Sequence, residues 1–317
     1  MNTHLDLALG YIFRCFIIST LFISTLFASG NTAGGGGKSS VQANDGSLSI
    51  DFKTTAIKDS KIKEFTENLN NQLNYEEFDF FLKDAVHWNT MMNATRVDYR
   101  KLNVSNFKNY TDKLLNLSKT QVDQLPLNEQ KAFYINLYNS LTLLLVVRNY
   151  PIESIKELGS GFPLYQSPWK KRFFYLFGQF SSLDKVEHEL VRGNPKLIDP
   201  LLHFAFNCAS IGCPALLDKA FTGQNIEEQL KLATNSFLSD RSRNFFKGDT
   251  LYVSSIFKWY ESDFTSDFRK INGLKDFFKR YASSLADGNQ IIVNTLKSGN
   301  FRIEFLPYNW ALNDKFQ

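Results

Sequence analysis

The chain has 317 residues, with 36 Lys plus Arg against 32 Asp plus Glu and a formal net charge of +4. The two signs are interspersed, so the charge pattern excludes a nucleic-acid-binding face. With 30 Phe and 13 Tyr but only 17 Gly and 8 Pro, the chain has apolar material for one large domain or two small ones.

The N-terminal residues set the compartment. Met1 to Arg14 carries a single basic residue, Arg14, and Cys15 to Phe27 is an uncharged apolar stretch that ends at Ala28-Ser29-Gly30. This layout predicts a secretory signal peptide over residues 1–30. The apolar part is about 13 residues, shorter than the ~20 that a membrane-spanning helix needs. An uncleaved anchor is the alternative, and the membrane enters in no other way. Cys15 follows Arg14 and not a small residue, so it is not read as a lipidation site. Residues 31–50, with Gly34-Gly35-Gly36-Gly37 followed by Lys, Ser, Gln and Asn, read as a flexible linker, and 51–317 as the globular part. The expected location is secreted or periplasmic. Asn-x-Ser/Thr triplets begin at Asn93, Asn103, Asn109 and Asn116, a weak signal that matters only in a eukaryotic secretory pathway.

Along the globular part, Lys58 to Leu73 has apolar residues at helical spacing. His87 and Trp88 have no clear placement. Asp98 to Leu102 reads as a short strand or turn, and Asn106 to Leu117 as a helix. Leu127 to Arg148 is the strongest helix, apolar at nearly every position from Phe133 to Val147 and therefore central. Asn149-Tyr150-Pro151 ends it. Pro151 to Leu158 predicts a short helix. The densest cationic run, Lys170-Lys171-Arg172 beside Trp169, reads as a solvated loop. Phe173 to Phe180, turning at Gly178, suggests a hairpin. Ser182-Leu183-Asp184 opens a helix to about Arg192 in the manner of a capping box. Leu201 to Phe206 is an apolar run of strand length. Asn225 to Asp240 is an amphipathic helix. Residues 244–247 and 250–253 form a hairpin across Gly248-Asp249. Ile256 to Tyr260 and Ser266 to Ala282 are helical, and Phe301 to Leu306 is a final strand. Helices dominate, and the expected fold is a helix-rich α+β single domain with a few short strands and hairpins.

Walker, Gly-x-Gly-x-x-Gly, His-Glu-x-x-His and Gly-x-Ser-x-Gly patterns are all missing from the sequence. The chemistry-bearing residues concentrate between Asn136 and Pro214. Cys208 and Cys213 admit three readings. The first is a disulfide, favoured outside the cell, which closes a small loop and adds roughly 2 kcal/mol. The second is a thiol nucleophile, with Cys213 before Pro214 at a possible helix start, His188 or His203 as base, Glu187 or Asp184 orienting it, and an asparagine amide as oxyanion donor. The third is a zinc site from His188, His203, Cys208 and Cys213, at a spacing that fits no common zinc module. Asn136 and Asn139 lie three residues apart on one face of the central helix. There they either tie loops to it or face a site. His188, on a helix beside Glu187, reads as a structural hydrogen bonder ahead of a catalytic base. His203, between Leu202 and Phe204, reads as a satisfied buried histidine.

Several runs resemble one family in the right order. They are Phe133-Tyr134-Ile135-Asn136-Leu137-Tyr138-Asn139-Ser140, Tyr150-Pro151-Ile152-Glu153-Ser154-Ile155, Ser182 to His188 with Arg192, and Asp199 to Leu216 with both cysteines. Phe257-Lys258-Trp259-Tyr260 with Asp263-Phe264, and Phe305 to Asn313, follow. Together they resemble the DUF547 family of uncharacterised proteins, over most of the chain after about Phe78. Asn309 and Ala311 depart from the family's usual Asp and Ser. The resemblance implies that Glu187, His188, His203 and the cysteine segment form one pattern, and it supplies no activity. The leading expectation is a secreted domain with a polar pocket built from Asn136, Asn139, Glu187, His188, Arg192, His203, Cys208 and Cys213. Thiol- or imidazole-assisted hydrolysis or acyl transfer on a peptide or amide is its chemistry. The rival is a non-catalytic binding module for a peptide or small-molecule ligand, with Cys208 and Cys213 bridged. No cofactor is expected.

Overall fold

The computed structural model describes Leu69, Leu73 and residues 75–89, 94–159 and 166–316, all within one unit, Phe52–Gln317. The expected signal segment, the linker, Cys15 and Asn93 lie outside the described residues, as does the Lys58 to Leu73 helix apart from buried Leu69 and Leu73.

The fold is the expected helix-rich α+β domain. Its helices of note are α1 (Tyr75–Ala85), α2 (Val104–Leu115), α3 (Leu127–Val147), α4 (Ile226–Ser239), α5 (Gly273–Arg280) and α6 (Gln290–Ser298). Helix α3 runs through the core. Every residue from Gln130 to Val146 is buried, because the apolar surface has no polar stripe to turn toward water. It packs against α2, α4 and the helix over Lys185–Arg192. Strands are short. β1 (Val86–Asn89) pairs with β2 (Ala94–Val97), which places His87 and Trp88 in a hairpin. β3 (Phe174–Leu176) pairs with β4 (Gln179–Ser181) as expected. β5 (Phe245–Lys247) and β6 (Thr250–Ser254) form the second expected hairpin. The late strand β9 (Arg302–Leu306) then joins β6 in parallel, with Leu251 beside Ile303 and Val253 beside Phe305.

Three local expectations change. Leu201 to Phe206 is not a strand: Pro200–Phe204 is a 3-10 helix whose cap, Asp199, accepts the Leu201 N–H at 3.0 Å. An Asp-Pro start favours a helical turn over an extended one, and the short apolar run had no period with which to oppose it. Ser266 to Ala282 is not one helix. β7 (Thr265–Ser266) and β8 (Ile271–Asn272) pair first, and α5 starts only at Gly273, at φ +82°. A residue in the left-handed region breaks a helix, and glycine is the one that occupies it freely. The helix after Ser182 takes π geometry over Lys185–Arg192, closed by the Gly193 N–H on the His188 carbonyl at 2.9 Å. Ser182 Oγ accepts the Lys185 N–H, which is half of a capping box. π turns are frequent at functional sites.

A buried ion network anchors the site's supports. Asp199 accepts from Lys131 Nζ at 3.0 Å and from Arg269 Nε at 3.0 Å, and Arg269 also reaches Glu227 at 2.7 Å. It joins α3, the 3-10 turn, α4 and the β7–β8 loop. Burial alone would raise the Asp199 carboxyl, but the Arg269 and Lys131 bonds and charges outweigh it and hold the group low.

Candidate functional site

The π turn sets the first group of side chains. Arg192 grips Asp263 with two bonds, Nε to Oδ2 at 2.6 Å and Nη2 to Oδ1 at 2.9 Å. Its Nη1 lies 2.8 Å from His188 Nδ1. Arginine has only donors, so Nδ1 accepts and the ring proton sits on Nε2, which is 3.6 Å from Asp184 Oδ1. Asp263 also takes the His203 Nε2–H at 2.8 Å. Burial would raise the Asp263 carboxyl. The hydrogen bonds from His203 and Arg192, with their charges, outweigh it and hold the group well below the usual carboxylate range. His203, 7% exposed, stacks on Tyr260 with ring centroids 4.1 Å apart. It is therefore the satisfied histidine expected from the sequence, and it still lines a cleft.

Glu187 sits at the same place. Its Oε1 accepts from Tyr260 OH at 2.9 Å, and the buried Tyr138 phenol of α3 lies within reach of its charge. Burial, then Glu187, push both phenols well above the ordinary tyrosine value, so they stay protonated.

Cys208 and Cys213 are bonded to each other, with Cα atoms 5.9 Å apart, within the range a bridge needs. The loop between them is pinned at both ends. Asn139 Nδ2 donates to the Ala205 carbonyl at 3.0 Å, and Asn139 Oδ1 accepts the Asn207 N–H at 2.8 Å. Ala209 takes φ +62°, a left-handed conformation that costs an alanine about 1 kcal/mol. It is held there by the Asn207 side chain on its N–H and the Asn313 N–H on its carbonyl. The chain's last segment docks on this loop: Ile211 N–H to Ala311 O and Gly212 N–H to Asn309 O, both 2.8 Å. A Cβ at Gly212 would lie 2.8 Å from the Tyr308 ring, so only glycine permits this approach. The docking carries Tyr308 and Trp310 to the bridge, where Tyr308 OH is 3.2 Å from Cys208 Sγ.

These parts enclose a cleft of about 180 Å³. Glu187, His188, His203, Cys208 and Cys213 line it, with Asp184 and an aromatic wall of Trp169, Trp259, Tyr308 and Trp310. Asn136, Asn139 and Arg192 lie outside the lining. Asn136 spends its amide on Phe221, donating to the carbonyl at 2.7 Å and accepting the N–H at 2.9 Å, so both asparagines tie loops to α3. Arg192 acts on the cleft through His188 and Asp263. Among the described residues, no group of three or more His, Cys, Asp and Glu side chains is placed to hold a metal ion. The four proposed zinc ligands do not converge as a set: the two sulfurs bond each other, and each imidazole has a nitrogen committed to Asp263 or Arg192. With both sulfurs bridged, neither cysteine offers a thiolate.

Residues 122–238 match the family model described as Protein of unknown function, DUF547. The match supports the DUF547 resemblance drawn from the motifs. The span holds α3, the π turn and both cysteines. The aromatic wall beyond it, Trp259, Tyr260, Tyr308 and Trp310, comes from later in the chain. No curated protein and no solved structure matches the chain.

Sequence reasoning missed most of that wall as a site. Trp259, Tyr260, Tyr308 and Trp310 stood in the family-like runs with nothing to distinguish them from core aromatics. Tyr138 lay between the two asparagines, in a helix apolar all round. A phenol there has to find a partner, which is the one signal that pointed to it.

Proposed function

We propose that this protein is a ligand-recognition module of an oxidising compartment, in which the cleft binds a peptide or small molecule and the Cys208–Cys213 bridge shapes its wall. The observation that carries this reading is the bridge itself: both sulfurs lie at the cleft and neither is free. A bridge of this kind persists where thiols are oxidised, which agrees with the secretory signal expected over residues 1–30 and with a secreted or periplasmic location. The test is iodoacetamide labelling of the native, non-reduced protein, read by mass spectrometry. The expected result is no label on either residue. Selective labelling of Cys213 that stops a measurable hydrolysis would overturn the module and restore the thiol nucleophile.

A second reading rests on a different observation. His188 and His203 line the same cleft, and His203 is oriented by Asp263 as a catalytic imidazole is oriented by a carboxylate. Imidazole-assisted hydrolysis of a peptide or amide follows from it, without the cysteines. Turnover of amide substrates by the non-reduced protein, lost in His188→Ala and His203→Ala, would favour this reading over pure recognition.

A further inference from the structure

The cleft carries an unbalanced negative charge against aromatic faces. Glu187 accepts from one phenol, Tyr260, and has, among the described residues, no ion pair. Among the described residues, the Asp184 carboxylate has only the distant His188 ring as a charged neighbour within 4 Å. Of the nearby cations, Arg192 is committed to Asp263, Arg243 to Asp240 at 2.6 Å and to the Cys213 carbonyl, and Lys185 to Gln179, while Lys156 lies against the Trp310 ring of the wall. In the same cleft as these carboxylates, the wall packs ring on ring. Tyr308 and Trp310 are 4.4 Å apart between centroids, Trp259 and Tyr308 4.9 Å, and Trp169 and Trp310 5.4 Å. Trp259 is 48% exposed, well above the level of a core residue. One ring already receives an ammonium group: Lys156 Nζ stands 5.1 Å over Trp310. Aromatic faces attract cations through the ring quadrupole, and most strongly where water is excluded.

We infer that the cleft takes a cationic group, an alkylated ammonium or a protonated amine on a small molecule or a peptide side chain, seated between Glu187 and the wall of Trp259, Tyr308 and Trp310. The inference rests on the recognition reading and gives its ligand a chemical class. Glu187 supplies the counter-charge, fixed in direction by Tyr260. The rings supply the surface that replaces the cation's water. A neutral sugar also stacks on aromatic rings, and it serves as the competitor in the test.

The experiment titrates the full chain, non-reduced, with choline, with its neutral isostere 3,3-dimethylbutan-1-ol, and with cellobiose, following tryptophan fluorescence and calorimetric heat. Choline is expected to bind at least about tenfold more tightly than the isostere. Glu187→Gln is expected to remove most of that preference. Trp259→Ala, at an exposed position, is expected to weaken choline binding without unfolding the chain. Equal or tighter binding of the isostere or of cellobiose would overturn the cationic assignment and leave the recognition cleft standing. If none of the three binds, and a random peptide mixture also gives no signal, the recognition reading falls with it.

Discussion

Asp263 illustrates how much one residue can hold in place. It accepts from His203 and Arg192 together, and Arg192 in turn fixes the His188 tautomer. Burial opposes the charged carboxyl, and the two partners outweigh burial, so its folded-state pKa lies below the unfolded value of about 3.9. A depressed carboxylate contributes stability that is present above the unfolded pKa and is lost as pH falls through the folded one. The native protein should therefore exceed Asp263→Asn in urea midpoint above about pH 4, and the two should converge toward pH 2. A constant gap across that window would show that the ion contacts carry no net stability. In the sequence, Asp263 stood only within a family-like run. Its partners, 60 and 71 positions away, could not be read there, because local spacing says nothing about contacts at that range.

At the scale of elements, α3 acts as the post to which the site's loops are tied. Its span, Leu127–Val147, agrees with the stretch that the apolar pattern indicated, since a helix apolar on nearly every face has to bury itself in the core. Asn136 and Asn139 then have a tethering role, one on the Phe221 loop and one on the chain entering Cys208. Asn139→Ala leaves the Ala205 carbonyl and the Asn207 N–H buried without partners. We expect a loss of about 2–4 kcal/mol in chemical denaturation. Asn139→Asp keeps the acceptor for Asn207 but sets a second oxygen against the Ala205 carbonyl at a buried position, so it should lose at least as much. An alanine variant as stable as the native protein would mean that water replaces both bonds. Where the pattern lacked a period, as in Leu201 to Phe206, cap chemistry decided the element.

For the whole molecule, the decisive event is the return of the last segment to the cysteine loop. β9 joins β6 in parallel, and residues 309–313 then pair with 209–212. This completes the cleft by adding Tyr308 and Trp310 to residues of the π turn and the bridge. Gly212 is the tightest point of that approach. Gly212→Ala should cost about 1–3 kcal/mol, a fall of roughly 2–8 °C in Tm. It should also weaken ligand binding at the cleft, because Tyr308 must move. An unchanged Tm with full binding would show that the closing segment is not held there in solution.

The sequence by itself determined the helix-rich class, the central helix, two hairpins and the neighbourhood in which Glu187, His188, His203 and the cysteines meet. Those features follow from periodicity, turn chemistry and ordered motifs, all of them local. Only the tertiary structure decided that the two sulfurs are bonded, that Asn136, Asn139 and Arg192 serve as supports, and that four late aromatics line one cleft with the carboxylates. Each of these depends on pairing between segments far apart in the chain, where the partner's identity is set by packing and not by spacing.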